Sequence, residues 1–557
     1  MRADDTVDEP EQGQPQPVSG VDDLPRRAFI LAIAAITLSQ GLAAFDAASV
    51  STLARSIQLD LDTTLTNVQY GIAGQLLFAA AFTMVAARLG AVFGRTRILV
   101  IGLLIRLLGM LLTAASPNVF VFILGRGVLG GIGIALALVN GLAIIGMHFS
   151  ARLRVKAASA SAAVTGGGLI LAPLVAGVCA VEFGWRWFYV ISSVLLVITL
   201  ALSVATPRVA ATTRSEAIDI GGALLAVASF GCLVFGIQQI TPWGLFQVRV
   251  APFTVLGMSP APFVILLGLI LLAGFAAFEK TRQKMGRPVL FDLRLLRNGF
   301  VRRGNLAMMG FGAMLFGTAF LIPVYLQVVQ GLTPIESSLR TFTYGCGALL
   351  LAILFSRFAH RFTLRGFFTI TCALMTLGLI VLAWEISPLF WGATPVGMFL
   401  LGLSLSLTKA PLNIATQRAL PPSEHGQLSA MSESSWYLGG ALGVAIIGTI
   451  LLTSLAIGLD RWVLEDSRMS PQAKAITQKY LDTNVAFVSE ARVRTILTQE
   501  GLPPDQIDRL VTHYNRSANV ALMLALAGSG LILLLSSVFV VRLPRTDPVF
   551  DPVPDST

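Results

Sequence analysis

The chain has 557 residues, of which 55% are hydrophobic and only 13% charged, with a mean hydropathy of +0.76. A soluble globular chain carries about 25% charged residues, so this deficit excludes that class and indicates a polytopic membrane protein. The net charge of +10 is read from where the charges fall and not as a nucleic-acid footprint, and Cys179, Cys232, Cys346 and Cys372 have neither metal-ligand spacing nor the pattern of a disulfide framework.

Residues 1–24 are acidic and rich in Pro and Gln, the composition of a disordered tail. The first long apolar run exceeds a signal-peptide core and ends without a small-residue cleavage site. Length and apolarity then predict fourteen spans, near 28–51, 69–90, 98–115, 119–147, 157–181, 187–206, 219–240, 261–279, 301–329, 336–356, 366–385, 389–413, 428–458 and 518–542. Basic residues orient them. With the N-terminus inside, cytoplasmic segments hold Arg26, Arg27, Arg88, Arg95, Arg97, Arg152, Arg154, Lys156, Arg208, Arg214, a cluster from Lys280 to Arg303, Arg357, Arg361, Arg365, Arg542 and Arg545. The short external loops hold only Arg55, Arg186, Arg249 and Arg340. This positive-inside asymmetry requires an even number of spans with both termini cytoplasmic. Residues 280–299 form a basic link. Residues 459–517 form a long external loop with eight acidic and eight basic residues, in which Ser470-Pro471 starts a helix and Asp505 caps a second, short one.

In the fifth run, Gly166-Gly-Gly-Leu-Ile-Leu-Ala-Pro173-Leu-Val-Ala-Gly177 combines a small-residue face, which lets helices approach closely in lipid, with a proline that weakens the helix. Gly184-Trp185-Arg186-Trp187-Phe188 opens the next run. The pair resembles the antiporter motif of the major facilitator superfamily, Gly-x-x-x-Gly-Pro-x-x-Gly-Gly followed by Trp-Arg-Trp. Gly168, Ala172, Pro173, Ala176 and Gly177 stand at its positions, with two Gly-to-Ala changes. The gating loop after span 2 keeps Leu89, Gly94, Arg95 and Arg97 but carries Ala91 in place of the family's Asp, so that carboxylate's charge clasp is missing. Span 4 keeps the Arg of Arg-x-x-Gln-Gly as Arg126, with Leu129 in place of Gln. Asp46 and Val50 match the span 1 motif, while Ser51 and Arg55 replace its Asn and Pro.

Over residues 28–541 the chain is most similar to the fourteen-helix drug–proton antiporters of that superfamily. The resemblance implies an all-α major facilitator fold of two six-helix bundles plus a two-helix insertion. The expected division is a tail at 1–27, a first bundle at 28–206, the insertion and link at 207–299, a second bundle at 300–543 carrying the external loop, and a tail at 544–557. Bundles of this kind rock about a midplane site.

A charge at the bilayer centre costs roughly 2.5–3.5 kcal/mol on insertion scales, so intramembrane ionisable residues are functional candidates. Asp46 and Glu433 are the proton-coupling candidates, and Arg126 and Arg106 the intramembrane charge partners. Asp46 and Arg126 have compatible depths, which allows either a titrating carboxylate or a static clasp. Arg106 lies about eight residues into span 3, roughly 12 Å deep at 1.5 Å per residue. It has either a structural partner, the favoured reading, or an anionic substrate. Lys409 and Asp219, near span ends, are expected to snorkel to the interface. Gln40, Gln75, Asn140, Tyr325, Gln327 and Gln330 are candidate cavity-lining residues, with Trp436 and Tyr437 divided between lining and packing.

The sequence therefore points to a proton-coupled exporter of small amphipathic organic compounds in the plasma membrane of a prokaryote. A transporter dedicated to one metabolite, such as a siderophore or organic anion, and a non-transporting receptor are the alternatives. Expected partners are the substrate, protons and lipid, with a periplasmic adaptor if the cell is Gram-negative, and no nucleic acid. No enzyme activity, metal or cofactor is expected. His148, His360, His425 and His513 suggest no catalytic constellation, and no phosphate-binding loop is present.

Overall fold

A computed structural model of the chain describes residues 26–148, 151–204, 219–249, 251–287, 289–290, 292–358, 363–384, 392–418, 420, 424–483 and 490–541. The acidic tail and Arg208, Arg214, Arg361, Arg542 and Arg545 lie outside these. Among the described residues the secondary structure is helical apart from an isolated bridge between Val255 and Met258 and a bridge residue at Thr363.

Fourteen helical stretches are long and apolar enough to cross a membrane. Spans 1 to 7 are Ile30–Asp60, Leu65–Phe93, Arg95–Ala114, Val119–Ile145, Ser159–Phe183, Arg186–Val204 and Ile220–Gln238. Spans 8 to 14 are Ala261–Lys284, Gly299–Val328, Pro334–Leu354, Arg365–Trp384, Ala393–Asn413, Gly426–Val463 and Pro504–Val540. Local chemistry marks several boundaries. Thr64 caps span 2 by accepting from Asn67 N at 3.2 Å. Gly94, at φ +96°, ends that span and leads straight into span 3, a backbone state that favours glycine. Span 10 opens on a capping box, Thr333 with Glu336, and has Pro334 in its first turn.

Spans 1 to 6 pack among themselves, span 1 against 5 and 6, span 3 against 4 and 6, and span 2 against 4. Spans 9 to 14 do the same, span 9 against 13 and 14, and span 12 against 10 and 11. The two groups meet along spans 2 and 13 on one side and spans 5 and 10 on the other, with span 1 touching span 9. Spans 7 and 8 pair with each other, and span 7 also lies against spans 2 and 13. Met84 and Val85 of span 2, Ala223 and Ala226 of span 7, Phe275 of span 8 and Met431 of span 13 share one apolar cluster.

Two features depart from the sequence expectations. The run at 119–147 is not one regular α-helix, because Ile123–Leu129 form a π-helical turn between α-helical flanks. The external region holds two separate short helices, Pro471–Thr483 and Glu490–Gln499, but between long extensions of the flanking spans. Span 13 continues outward as part of a helix ending at Glu465, and the helix beginning at Pro504 runs unbroken into span 14. Asp505 thus lies in the first turn of a long helix, whereas Ser470 caps helix Pro471–Thr483 as expected, accepting from Ala473 N at 3.1 Å. These extensions enclose their own apolar core, which includes Val463, Met469, Ile476, Leu497, Ile507 and Leu510, and so form a folded external cap.

Candidate functional site

The interior of the first bundle is built around Asp46, which is 2% exposed. Four helices converge on it. Arg126 Nη1 donates to Asp46 Oδ1 and its Nη2 to Asp46 O at 3.2 Å. Gln75 Nε2, from span 2, donates to Oδ2 at 2.7 Å. Arg106, from span 3, places Nη2 4.0 Å from Oδ2 and donates to the span 1 carbonyl of Leu42 at 2.7 Å and, more weakly, to that of Ser39 at 3.4 Å. Tyr189 of span 6 presents its ring 5.7 Å from the Arg126 guanidinium.

Arg126 sits in the π-helical turn of span 4. Such turns carry one extra residue per turn and recur at functional sites. A buried ion pair is tolerated only when further hydrogen bonds complete it; Gln75 and the Leu42 carbonyl supply them here. The balance of charge is unequal, since two guanidiniums face one carboxylate and the Nε of each arginine is buried without a hydrogen-bond partner. The cluster therefore carries a surplus of one positive charge when Asp46 is ionised.

A second ion pair, with its carboxylate buried, lies in the other bundle. Lys409 Nζ is 2.9 Å from Glu433 Oε2 and stands 5.9 and 5.7 Å from the ring centres of Trp436 and Tyr437. Lys409, expected to snorkel to the interface, is one-third exposed and also holds Glu433. The same expectation for Asp219 is corrected. It is 1% exposed, caps span 7 by accepting from Gly222 N at 2.8 Å, and pairs with Arg282 Nε at 3.3 Å.

The antiporter-motif helix is wedged between the bundles. A Cβ at Gly168 would lie 2.5 Å from Gly41 O of span 1, and one at Gly177 would lie 2.6 Å from Ser338 Oγ of span 10. Ala172 and Ala176 are fully buried. Ser338 Oγ lies 2.6 Å from Pro173 O and 2.7 Å from Pro334 O, so its single proton is shared between two carbonyls. The outer ends of spans 1 and 9 are tied by Arg55 Nη1 to Gln327 O at 2.5 Å and Gln327 Nε2 to Thr52 O at 3.0 Å. Small residues and carbonyl acceptors thus hold the outer half of the seam closed.

The other candidates are placed less uniformly. Gln40 is half-buried on span 1, and its Nε2 has no partner. Three of the candidate lining residues make hydrogen bonds within or between helices. Asn140 Nδ2 donates to Ala86 O and Leu136 O at 3.0 and 2.9 Å, Tyr325 OH to Asn519 Oδ1 at 2.9 Å, and Gln327 closes the seam as described. Gln330 Oε1 accepts from Arg340 at 3.2 Å. In the gating loop Arg95 is half-buried and Arg97 exposed on either side of Thr96. The Trp-Arg-Trp segment forms an outer clamp. Arg186 Nη1 and Trp185 Nε1 both donate to Asp60 Oδ2, and Arg186 Nη2 donates to Ser116 O at 2.9 Å. Sequence reasoning missed this clamp and Tyr189, although both stand beside that motif. Among the described residues, no group of three or more His, Cys, Asp or Glu is placed to hold a metal.

Comparison with known proteins agrees with this architecture. The chain is 25% identical to the tetracenomycin C resistance and export protein of Streptomyces glaucescens, over 99% of each chain. It is 27% identical to the puromycin resistance protein pur8 of Streptomyces alboniger, over 81% of this chain and 86% of that one. It is 26% identical to a multidrug resistance protein B homolog of Mycobacterium tuberculosis, over 74% of each. In fold it resembles the crystal structure of a bacterial homolog of the human lysosomal transporter Spinster, with a TM-score of 0.59 at 13% identity over 94% of this chain and all of that one. A D-xylose–proton symporter gives 0.53 at 13% identity over 93% and 98%. The fold is the major facilitator fold, and the protein is an integral, multi-pass plasma membrane protein. The model of the Major Facilitator Superfamily matches residues 36–444, and the chain belongs to that family of transporters.

Proposed function

We propose that the protein is a proton-coupled exporter of small amphipathic organic compounds, with the two groups of six spans moving as bodies about the interior. The observation that carries this reading is the position of Asp46, a buried carboxylate on which spans 1, 2, 3 and 4 all converge. Protonating it removes the charge that Arg126 and Gln75 hold in place, which loosens the contacts among these helices. A proton bound here thereby becomes a change in bundle packing, the local charge event that a two-state transporter requires. The pair Glu433–Lys409 is the second candidate coupling element, and Gly94, Arg95 and Arg97 the cytoplasmic gate. The names of the relatives, which refer to resistance and export, support the direction and the class of cargo.

The test is transport of puromycin and tetracenomycin C by the purified protein in liposomes with an imposed pH gradient. Wild-type protein should accumulate at least one of them against its gradient, and Asp46→Asn should not, at equal protein content. Full coupling in the Asn variant would remove Asp46 from the proton path. If no compound moves under any gradient, a non-transporting receptor replaces this reading.

The surplus positive charge favours a second reading, with an organic anion as cargo. The linkage has opposite signs for the two cargo classes. A cation is held better with Asp46 ionised, so cation and proton exchange. An anion is held better with Asp46 neutral, so anion and proton travel together. Reversing the gradient in the same liposomes separates the two.

A further inference from the structure

The external connection between spans 7 and 8 takes no part in the site. Residues 244–260 carry one charge, Arg249, in seventeen positions. The described residues among them, all but Val250, nonetheless have a defined fold. Ser259 is fully buried; its Oγ donates to Gly244 O at 2.7 Å and its N to Phe246 O at 3.1 Å. Arg249 N donates to Trp243 O at 3.0 Å. Trp243 packs edge-on against Phe235 at 5.7 Å and lies 6.2 Å from Phe253, which joins the loop to the end of span 7. At its tip, Val255 and Met258 exchange two backbone hydrogen bonds, of 3.1 and 2.9 Å, around Leu256 and Gly257.

That turn is unusual in its chemistry. Leu256 has φ +53° and Gly257 φ +75°, the two left-handed residues of a type I′ turn, positions that favour Asn, Asp or Gly. A leucine strains the backbone there, and this one is 85% exposed. In water the residue gains neither conformational ease nor burial. Phe246 and Phe253, at 61% and 54% exposure, are likewise uncovered. The loop starts after the short helix Ile240–Trp243 that follows span 7 and finishes where span 8 begins, at Ala261, so it lies at the outer boundary of the bilayer. Span 8, which follows, exposes Leu266 and Ile270, side chains that face lipid in a membrane-spanning helix. Aromatic and aliphatic side chains at that level partition into the boundary between headgroups and acyl chains.

We propose that this loop is a preformed membrane-interface anchor, with Phe246, Phe253 and Leu256 inserted into the outer leaflet. Its partner is lipid, because the loop joins two membrane spans at the bilayer boundary, exposes aromatic and aliphatic side chains there and carries a single charge in seventeen positions. The anchor holds the insertion at fixed depth, and span 7 bears on one span from each bundle.

The test uses the full-length protein in liposomes, with a nitroxide on Cys introduced by Leu256→Cys and collision rates measured with oxygen and with a water-soluble nickel chelate. The unsubstituted protein serves as the labelling blank, Leu266→Cys as the lipid reference and Asp508→Cys, in the external cap, as the aqueous reference. The expected result is an oxygen-to-nickel ratio at 256 that shifts to the value at 266. A ratio equal to that at 508 would overturn the anchor and leave the surface to a partner protein. Low collision rates with both reagents would also overturn it and indicate cover by a second copy of the chain. Because the Leu256 side chain stands 85% clear of the rest of the protein, its replacement leaves the fold intact. Phe246→Cys supplies an independent second position.

Discussion

Replacing Gly168 by Ala tests the seam most directly. The new Cβ would lie 2.5 Å from Gly41 O and 3.3 Å from Phe45 N, whereas ordinary contact begins at 3.4 Å. Spans 1 and 5 must therefore separate by about 0.9 Å (3.4 less 2.5), and the clashing atoms are backbone, which cannot rotate away. Overpacking of this kind costs about 1–3 kcal/mol. Gly167 is the internal control. It neighbours Gly168 on the same helix, and a Cβ there meets nothing within 4 Å, so Gly167→Ala gains about 1 kcal/mol of helix propensity and loses no packing. Gly168→Ala gains the same propensity, so the two single-methyl variants should differ by the overpacking cost alone, about 1–3 kcal/mol, with Gly168→Ala the less stable. Because large multi-span proteins unfold irreversibly, the readout is the heat-inactivation half-life in detergent, scored as monodisperse protein, with transport in liposomes alongside. Equal half-lives and equal turnover for the two variants would refute the close packing of span 5 on span 1.

Further outcomes follow from the charged groups. Arg106→Gln should lower thermal stability whatever compound is present, because it strips donors from Leu42 O and a counter-charge from Asp46; a stable variant that lost only anionic cargo would show instead that Arg106 serves substrate. Lys409→Met should destabilise strongly by leaving Glu433 buried and unpaired, roughly 3–5 kcal/mol for a fully buried pair and less here because Lys409 is one-third exposed; adding Glu433→Gln should recover most of the loss, and simple additivity of the two changes would deny the pairing. In the external cap, Asp466 is held below the usual carboxylate value of 3.8 by hydrogen bonds from His513 and the Arg468 backbone amide. A lowered folded value stabilises above the unfolded one and is lost as pH falls through the folded one, so amide exchange in helix Pro471–Thr483 should stay slow from neutrality to about pH 4 and quicken below it. Quickening at pH 6 would place the weak point elsewhere.

The spans were legible because the hydrocarbon core sets their length and water sets their ends. Asp46 and Arg126 could be paired from depth alone, since a buried charge at a given depth needs a partner at the same depth. The Lys409–Glu433 pair was not, because Lys409 sits close enough to a span end for snorkelling to explain it equally well. Hydropathy carries no information on hydrogen-bond register, so the π-helical turn around Arg126 left no trace in the sequence pattern. The cap was misread at Asp505 for a related reason. Between Asp505 and Ala527 there is neither Gly nor Pro, and an acidic residue in the first turn suits a long helix as well as a short one. Side-chain roles such as those of Asn140 and Gln327 depend on which face of a helix meets a neighbour, which the sequence of an all-round apolar span does not record.

The placement of spans 7 and 8 gives the molecule a front and a back. On one flank, the line where spans 2 and 13 meet is roofed by the extra pair, with Thr449 Oγ1 donating to Ile237 O at 3.1 Å and the hydroxyls of Thr241 and Thr453 3.0 Å apart. On the opposite flank, spans 5 and 10 meet through glycine, alanine and one shared hydroxyl proton, with no further helix packed over them among the described residues. The two flanks are therefore unequal, one a double wall and one facing acyl chains directly. If a compound in the bilayer reached the interior sideways, its shortest path would cross the flank of spans 5 and 10, where a bulky label on span 5 would stand in its way and the same label on span 7 would not.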